Sequence, residues 1–216
     1  MISSAKVYCD LPGKDTALKK ASLNLPNTLS FIRVLLVPVF VLTLLLMKDI
    51  PVWGILVPTF VYIITALTDM LDGKIARKYN LVTDFGKFID PLADKFMVLA
   101  SMITILVWML LRGETTAALV FLPVTLIILL RELAVTSLRL VVAGKSGIVV
   151  AASMLGKLKT VSQMVGTVVL LVEPMIPFFS ENRILSYAFM ALMTFTTLFS
   201  GIDYLRAYMP HVDTNS

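Results

Sequence analysis

Six long apolar stretches constrain the fold of this chain more than any other feature. They lie at about residues 29–47, 52–71, 88–111, 117–142, 152–172 and 184–204. A helix needs about 20 mainly apolar residues to cross the hydrocarbon core of a bilayer, which is about 30 Å thick. With 58% hydrophobic and 15% charged residues and a mean hydropathy of +0.89, the composition is unlike that of a soluble domain. The sequence therefore predicts an all-α integral membrane protein, a bundle of six transmembrane helices.

The two ends of the chain are polar, and we expect a single transmembrane domain, residues 25–207, between them. Residues 1–24 hold no apolar core ahead of a cleavage site, which argues against a removed signal peptide. Their mixture of lysines and leucines predicts a short amphipathic helix on the membrane surface; a disordered basic tail is the alternative. Residues 208–216 are expected to form a cytoplasmic tail. Because Cys9 is the only cysteine, no internal disulfide is possible.

Basic residues concentrate on one side of the predicted bundle. The net charge is +5, and all but three of the 19 Lys and Arg residues fall on the same side as the N-terminus. The other side receives only Lys48, Arg112 and Arg183. The positive-inside rule makes the crowded side cytoplasmic and places both termini there. Since these charges lie at helix ends and not along one soluble face, no nucleic-acid partner is expected.

One short segment gathers four regularly spaced aspartates in a chain that otherwise avoids charge. Asp69 and Asp72 are three residues apart, and Asp90 and Asp94 are four apart, so each pair lies on one face of a helix. Turn and cap residues at 80–86 separate the pairs. The pattern predicts that the two helices fold back as an antiparallel hairpin and bring all four carboxylates together on the cytoplasmic side.

Four converging carboxylates need compensating positive charge. At 4 Å and an effective dielectric near 20, each pair repels by roughly 4 kcal/mol, so divalent cations among them are the simplest solution. Oxygen-only ligands favour Mg²⁺ or Mn²⁺, and two such ions about 3.5–4 Å apart can clamp both sides of a phosphoryl displacement. The alternative is that the aspartates merely pair with nearby basic residues, namely Lys74, Arg77, Lys87 and Lys95.

The aspartate segment resembles the signature of the CDP-alcohol phosphotransferase family. That signature is D-x2-D-G-x2-A-R-x8-G-x3-D-x3-D, and every specified position is present here. The resemblance implies that Asp69, Asp72, Asp90 and Asp94 hold two Mg²⁺ or Mn²⁺ ions. It also implies that Asp94 is the catalytic base, which removes the proton of the acceptor alcohol.

A notch of small residues follows the first aspartate pair. Gly73 and Ala76 allow either another helix or a flat ligand to approach closely, and from the residues alone helix packing is the commoner reason. The family resemblance favours the ligand, because it implies a cytidine site that includes Asn27, Gly73, Ala76 and Arg77. It also implies a homodimer.

A cationic cluster is predicted on the cytoplasmic side, made of Arg131, Arg139, Lys157 and Lys159. Arg131 and Arg139 are eight residues apart, so both can lean toward one side of the fourth helix, and Glu132 can pair with Arg131. Because arginines at membrane depth carry a large desolvation cost, we expect Arg131, Arg139 and Lys157 to form a phosphate pocket; anchoring to lipid head groups is the alternative. Arg33, in the first stretch, must likewise snorkel, pair or contact an anion.

Three further blocks, NLPNTLSFIRVLLVP, RELAVTSLR and GKLKT, resemble the bacterial phosphatidylglycerophosphate synthases of that family. The resemblance implies transfer of a phosphatidyl group from CDP-diacylglycerol to glycerol 3-phosphate among membrane lipids, whereas the residues themselves support only a phosphorylated alcohol. Cardiolipin synthase and phosphatidylinositol phosphate synthase represent other acceptors, and a small cation transporter is the alternative outside the family. The fifth and sixth helices, uncharged in their central turns, are predicted to be scaffold or dimer surface.

Overall fold

The apolar stretches all form α-helices in the computed structural model. The backbone is described for residues 25–79, 84–146, 154–176 and 182–209. Side chains are described mainly for residues 31–68, 95–139, 154–176 and 182–209. The expected amphipathic segment, all but the first residues of the expected tail, and the four aspartate side chains lie outside these ranges.

Six α-helices make up most of the described chain. They are α1 (Leu25–Leu46), α2 (Trp53–Tyr79), α3 (Asp84–Leu111), α4 (Thr115–Ser146), α5 (Met154–Val172) and α6 (Ile184–Tyr208), and a short 3-10 turn follows α5 at Glu173–Met175. All regular structure in the described residues is helical, as the sequence predicts. Several helices run past the apolar stretch that predicted them, because backbone hydrogen bonding continues through polar residues that no bilayer core would cover.

Three apolar segments in the described residues are long enough to cross a membrane. These segments are Thr115–Arg139, Met154–Met175 and Ile184–Tyr208. The first three helices contain shorter apolar stretches, Phe31–Leu46, Trp53–Thr68 and Lys95–Leu111. Large apolar side chains such as Phe60, Leu130 and Phe195 point outward and are 64%, 71% and 60% exposed. An outer surface of this kind suits lipid surroundings.

The helices pack as a closed ring. α1 lies against α2 and α3, α3 contacts α4, α4 contacts α6, α6 contacts α5, and α5 returns to α2. The ring encloses a core in which Leu44, Trp108, Phe121 and Met193 are fully buried. Gly166 brings α5 close to α6, since a Cβ there would lie 2.7 Å from Met193 Sδ. Because lipid tails are as apolar as these side chains, close packing and not exclusion of water holds such helices together.

Three short connections share one end of the bundle, which we term the turn end. They join α1 to α2, α3 to α4, and α5 to α6. Lys48, Arg112 and Pro174, one residue from each connection, line a common groove. Arg112 and Arg183 both line a neighbouring groove. The three basic residues that the sequence assigns to the side opposite the cytoplasm therefore lie at one end of the bundle. Consecutive helices therefore alternate in direction, and the opposite end carries the α2–α3 and α4–α5 connections.

A buried carboxylate caps α6 at the turn end. Glu173 is 1% exposed and accepts hydrogen bonds from the backbone N–H groups of Leu185 and Ser186, at 2.8 and 2.7 Å, and from the Ser186 hydroxyl. The first N–H groups of a helix have no partner within the helix, and negative charge is favourable there. Glu173 thus satisfies donors that burial would otherwise leave unpaired.

Arg183 links two of the turns beside this cap. It precedes α6 with a left-handed backbone, φ 48°, and its guanidinium donates to the Glu114 carboxylate and, at 3.3 Å, to the carbonyl of Leu170. Burial lowers the pKa of Arg183, and the carboxylates of Glu114 and Glu173 oppose that effect. The α3–α4 turn is therefore tied to the start of α6 by an ion pair that little water screens.

Glu173→Ala should lower the free energy of unfolding by about 1–3 kcal/mol, because it strands buried donors at the start of α6. Glu173→Gln should lower the free energy of unfolding by less than Glu173→Ala does, since an amide keeps one acceptor oxygen. Thermal unfolding of the detergent-purified protein measures both changes. Asp49→Ala is the control, since that carboxylate is 82% exposed at the same end. A Glu173→Ala variant that melts like the control would show that the cap contributes nothing.

Candidate active site

The four aspartates lie on two helices, two on each. Asp69 and Asp72 are in α2, and Asp90 and Asp94 are in α3. Both helices are continuous through these positions, so the spacings of three and four residues keep each pair on one side of its helix. The structure does not describe the side chains of these aspartates. The same holds for the surroundings of the predicted cytidine-site residues, Asn27 in α1 and Gly73, Ala76 and Arg77 in α2. Convergence of the carboxylates and the cytidine site therefore stay predictions.

The described side chains form a polar centre of their own near that end of the bundle. Glu132 on α4 is 2% exposed and accepts from the ammonium groups of Lys95 on α3 and Lys159 on α5. Arg131 Nη1 lies 3.5 Å from the same carboxylate, so the pairing expected between neighbours is present but is the longest of the three. A buried carboxylate is tolerated only when it is paired, and this one joins three helices.

This ionic centre is connected in sequence to the predicted metal site. Lys95 directly follows Asp94, the last aspartate of the segment. A cavity of about 110 Å³ opens beside Glu132 and is also lined by Tyr62, Lys159 and Gln163. Within the described part of the chain Gln163 Nε2 has no hydrogen-bond partner, although Gln163 is 5% exposed. The cavity therefore offers a polar lining where α2, α3, α4 and α5 meet.

Both predicted phosphate-binding arginines contact α6. Arg131 Nη2 donates to Ser200 Oγ at 2.6 Å, and Arg139 Nη2 donates to the Tyr204 hydroxyl at 2.5 Å. The two guanidinium carbons lie 5.3 and 4.7 Å from the centroid of the Tyr204 ring, within the range of cation–π attraction. The sequence predicts that α6 is scaffold or dimer surface, yet this helix supplies the contacts that hold the arginines.

The two lysines at the start of α5 occupy different environments. Lys157, assigned to the phosphate pocket, is exposed, whereas Lys159 is 5% exposed and pairs with Glu132. From the sequence, both lysines belong to the cationic cluster; the burial of Lys159 and the position of Gln163 were missed, although a signal was present. Polar or small residues recur along the buried face of α5 at helical spacing: Lys159, Ser162, Gln163, Gly166 and Thr167.

Arg33 is buried in α1. Its exposure of 1% excludes the snorkelling alternative, because a snorkelling guanidinium would reach water. Of the three possibilities that the sequence left open, pairing and contact with an anion remain. Among the residues whose side chains are described, no group of three or more His, Cys, Asp or Glu side chains could hold a metal ion.

Comparison with known proteins identifies the family of this chain. Residues 23–199, most of the chain and all four aspartates, match the CDP-alcohol phosphatidyltransferase family. The chain belongs to this family of transferases. The CDP-diacylglycerol–glycerol-3-phosphate 3-phosphatidyltransferase of Bacillus subtilis strain 168 is 40% identical over 195 residues, which cover 84% of this chain and 93% of that protein.

Two more relatives carry the same name. The protein from Pseudomonas fluorescens is 36% identical over 195 residues, covering 89% of this chain and 94% of its own length. That from Escherichia coli K12 is 36% identical over 195 residues, covering 85% and 94%. The similarity thus extends over nearly the whole length of each relative.

Lys159→Met should lower the free energy of unfolding by about 1–3 kcal/mol, because it removes a partner from the buried Glu132 carboxylate. Lys157→Met is the matched control, since the same change two residues away affects an exposed side chain. Thermal unfolding of both variants in one detergent gives the comparison. Equal melting temperatures would contradict a structural ion pair between α4 and α5.

Proposed function

We propose that this protein transfers the phosphatidyl group of CDP-diacylglycerol to glycerol 3-phosphate, giving phosphatidylglycerophosphate and CMP. The observation that carries the proposal is the near full-length similarity, at 36% to 40% identity, to relatives named for this reaction. The structure adds a buried cationic region on α3, α4 and α5. Such a region suits a phosphate-bearing acceptor.

Asp69, Asp72, Asp90 and Asp94 would hold two Mg²⁺ or Mn²⁺ ions. Two features support this assignment: an oxygen-only set suits hard cations, and continuous helices keep each aspartate pair on one side. When bound, the ions would neutralise the diphosphate of CDP-diacylglycerol and stabilise the charge that develops on departing CMP. Asn27, Gly73, Ala76 and Arg77 are the residues proposed for the cytidine.

Asp94 is the proposed catalytic base. Its carboxylate takes the proton of the acceptor hydroxyl, and the freed oxygen attacks the phosphorus that carries diacylglycerol. A new phosphorus–oxygen bond forms while the bond from that phosphorus to the phosphate oxygen of CMP breaks. The proton remains on Asp94, and the electron pair leaves with CMP.

Arg131, Arg139 and Lys157 are proposed to bind the phosphate of the acceptor. Arg131 Nε is buried and makes no hydrogen bond within the described residues, so this guanidinium keeps donor capacity for an anion. Arg139 and Lys157 are exposed and can be reached from outside the bundle. A phosphate monoester carries enough negative charge to be attractive to all three.

We further propose six membrane spans, with both termini and the active site on the cytoplasmic side, and a homodimer. The helices α1, α2 and α3 contain 22, 27 and 28 residues, and at about 1.5 Å per residue each can cross a hydrocarbon core of about 30 Å. The distribution of Lys and Arg supports the orientation. The dimer follows from family resemblance alone.

A cation transporter is the weaker alternative. It would need charged groups near the middle of the membrane and a path open to both sides. The part of each helix that adjoins the turn end contains no Asp, Glu, Lys, Arg or His: residues 34–47, 50–68, 96–111, 115–130, 160–172 and 184–202. An enzyme working at one membrane surface fits this distribution better.

Purified protein with Mg²⁺ should release CMP from CDP-diacylglycerol when glycerol 3-phosphate is supplied, and a chelator should stop that release. Glycerol, which lacks the phosphate, is the matched control and should support none. Inositol 1-phosphate and phosphatidylglycerol complete the acceptor panel. CMP release with either of these, and not with glycerol 3-phosphate, would reassign the acceptor, while activity indifferent to the chelator would contradict the metal site.

Asp94→Asn should reduce turnover by at least about a hundredfold, because an amide cannot take the acceptor's proton. Binding of CDP-diacylglycerol, measured on the same preparation, should change little. Asp49→Asn, an exposed change at the turn end, is the control. If binding falls as far as turnover, Asp94 acts in holding the nucleotide substrate and is not the base.

A further inference from the structure

The aromatic ring of Tyr204 lies close to both arginines of α4 and is itself buried. Tyr204 is 4% exposed, and Tyr208, one turn later, stacks on it with ring centroids 6.1 Å apart and an interplanar angle of 23°. Val135 and Val142 of α4 complete this small cluster. A ring packed in this cluster holds its hydroxyl group in one place.

The Tyr204 hydroxyl restrains an arginine that the rest of the bundle leaves exposed. Arg139 donates to it at 2.5 Å, and the Arg139 guanidinium carbon is 4.7 Å from the ring centroid. A free arginine side chain loses rotamer entropy when it is fixed in one position. With Tyr204 in place, part of that loss occurs during folding and not on ligand binding.

Arg131 is placed by the same part of α6, one turn earlier. Ser200, fully buried, accepts its hydrogen bond at 2.6 Å. Gly201 lets the side chain pass, since a Cβ at this position would lie 3.3 Å from Arg131 Cγ. The residues Ser200, Gly201 and Tyr204 therefore form one surface, which we term the α6 seat, that contacts both guanidinium groups.

We propose that the α6 seat positions Arg131 and Arg139 for the phosphate of the acceptor alcohol, with Tyr204 as the principal positioning residue. The inference rests on the proposed function and deepens it, because it assigns a role in acceptor recognition to a helix that carries no predicted site residue. Each guanidinium uses one terminal nitrogen on the seat and keeps other N–H groups for an anion. Two like charges held beside one ring repel each other, and a bound phosphate relieves that repulsion.

The test compares steady-state kinetics of Tyr204→Phe with the wild type, varying glycerol 3-phosphate and CDP-diacylglycerol separately. Removing only the hydroxyl should raise KM for glycerol 3-phosphate by about three- to tenfold, in line with the net loss of one ordinary hydrogen bond. KM for CDP-diacylglycerol and kcat should stay near wild type. Tyr187→Phe, the same change at the other end of α6, is the matched control and should alter none of these values.

A second variant covers the case in which Tyr204→Phe folds poorly. Ser200→Ala removes the hydroxyl that holds Arg131 and should also raise KM for glycerol 3-phosphate selectively. A merely structural role would predict a lower melting temperature and a fall in kcat, with KM for both substrates unchanged. That result in either variant would overturn the proposal.

Arg139→Ala separates failure of this inference from failure of the proposed function. If Arg139→Ala raises KM for glycerol 3-phosphate while Tyr204→Phe and Ser200→Ala do not, the α6 seat has no positioning role and the acceptor site stands. If Arg139→Ala leaves that KM unchanged, the arginine does not bind the acceptor, and the inference fails together with the assignment of the pocket. CMP release by the wild-type protein with each acceptor tests the proposed reaction itself.

Discussion

The buried carboxylate of Glu132 is the interaction on which the organisation of this bundle most depends. A charge removed from water is destabilising unless partners surround it, and Glu132 draws Lys95, Arg131 and Lys159 toward one point. Because these residues belong to α3, α4 and α5, their pairing fixes three helices relative to one another. Apolar packing alone specifies register weakly in lipid, where every face of a helix can be hydrophobic.

The two ends of the ring use charge differently. At the turn end, Glu173 and Arg183 satisfy donors and acceptors close to their own connections, and their contacts close the ends of helices. Near the other end, Arg131 and Arg139 keep donor groups beyond those that hold them in place. Fully satisfied charges stabilise a fold, whereas charges with remaining donor capacity can bind a ligand. This contrast favours placing the chemistry near the aspartate segment.

Membership in the CDP-alcohol phosphatidyltransferase family relates these observations to one kind of substrate. A substrate of this family's kind has a lipid part that stays in the membrane and a nucleotide part that stays outside it. The proposed active site would combine acidic residues, cationic residues and a bilayer-facing surface. The described helices provide the cationic residues and the bilayer-facing surface, and the sequence places the acidic residues on α2 and α3.

The sequence by itself determined the positions of the six helices, the spacing of the aspartates and the family, because apolar length and local spacing are written directly in the order of residues. It did not determine that Lys159 is buried and Lys157 exposed, that Arg33 is enclosed, or that Ser200 and Tyr204 hold arginines more than sixty residues away. In a lipid-facing helix both the outer and the inner face are apolar, so hydrophobic periodicity gives little indication of which side meets another helix. Only the packing of the ring decided those contacts, since each depends on the rotation of two helices that are distant in sequence.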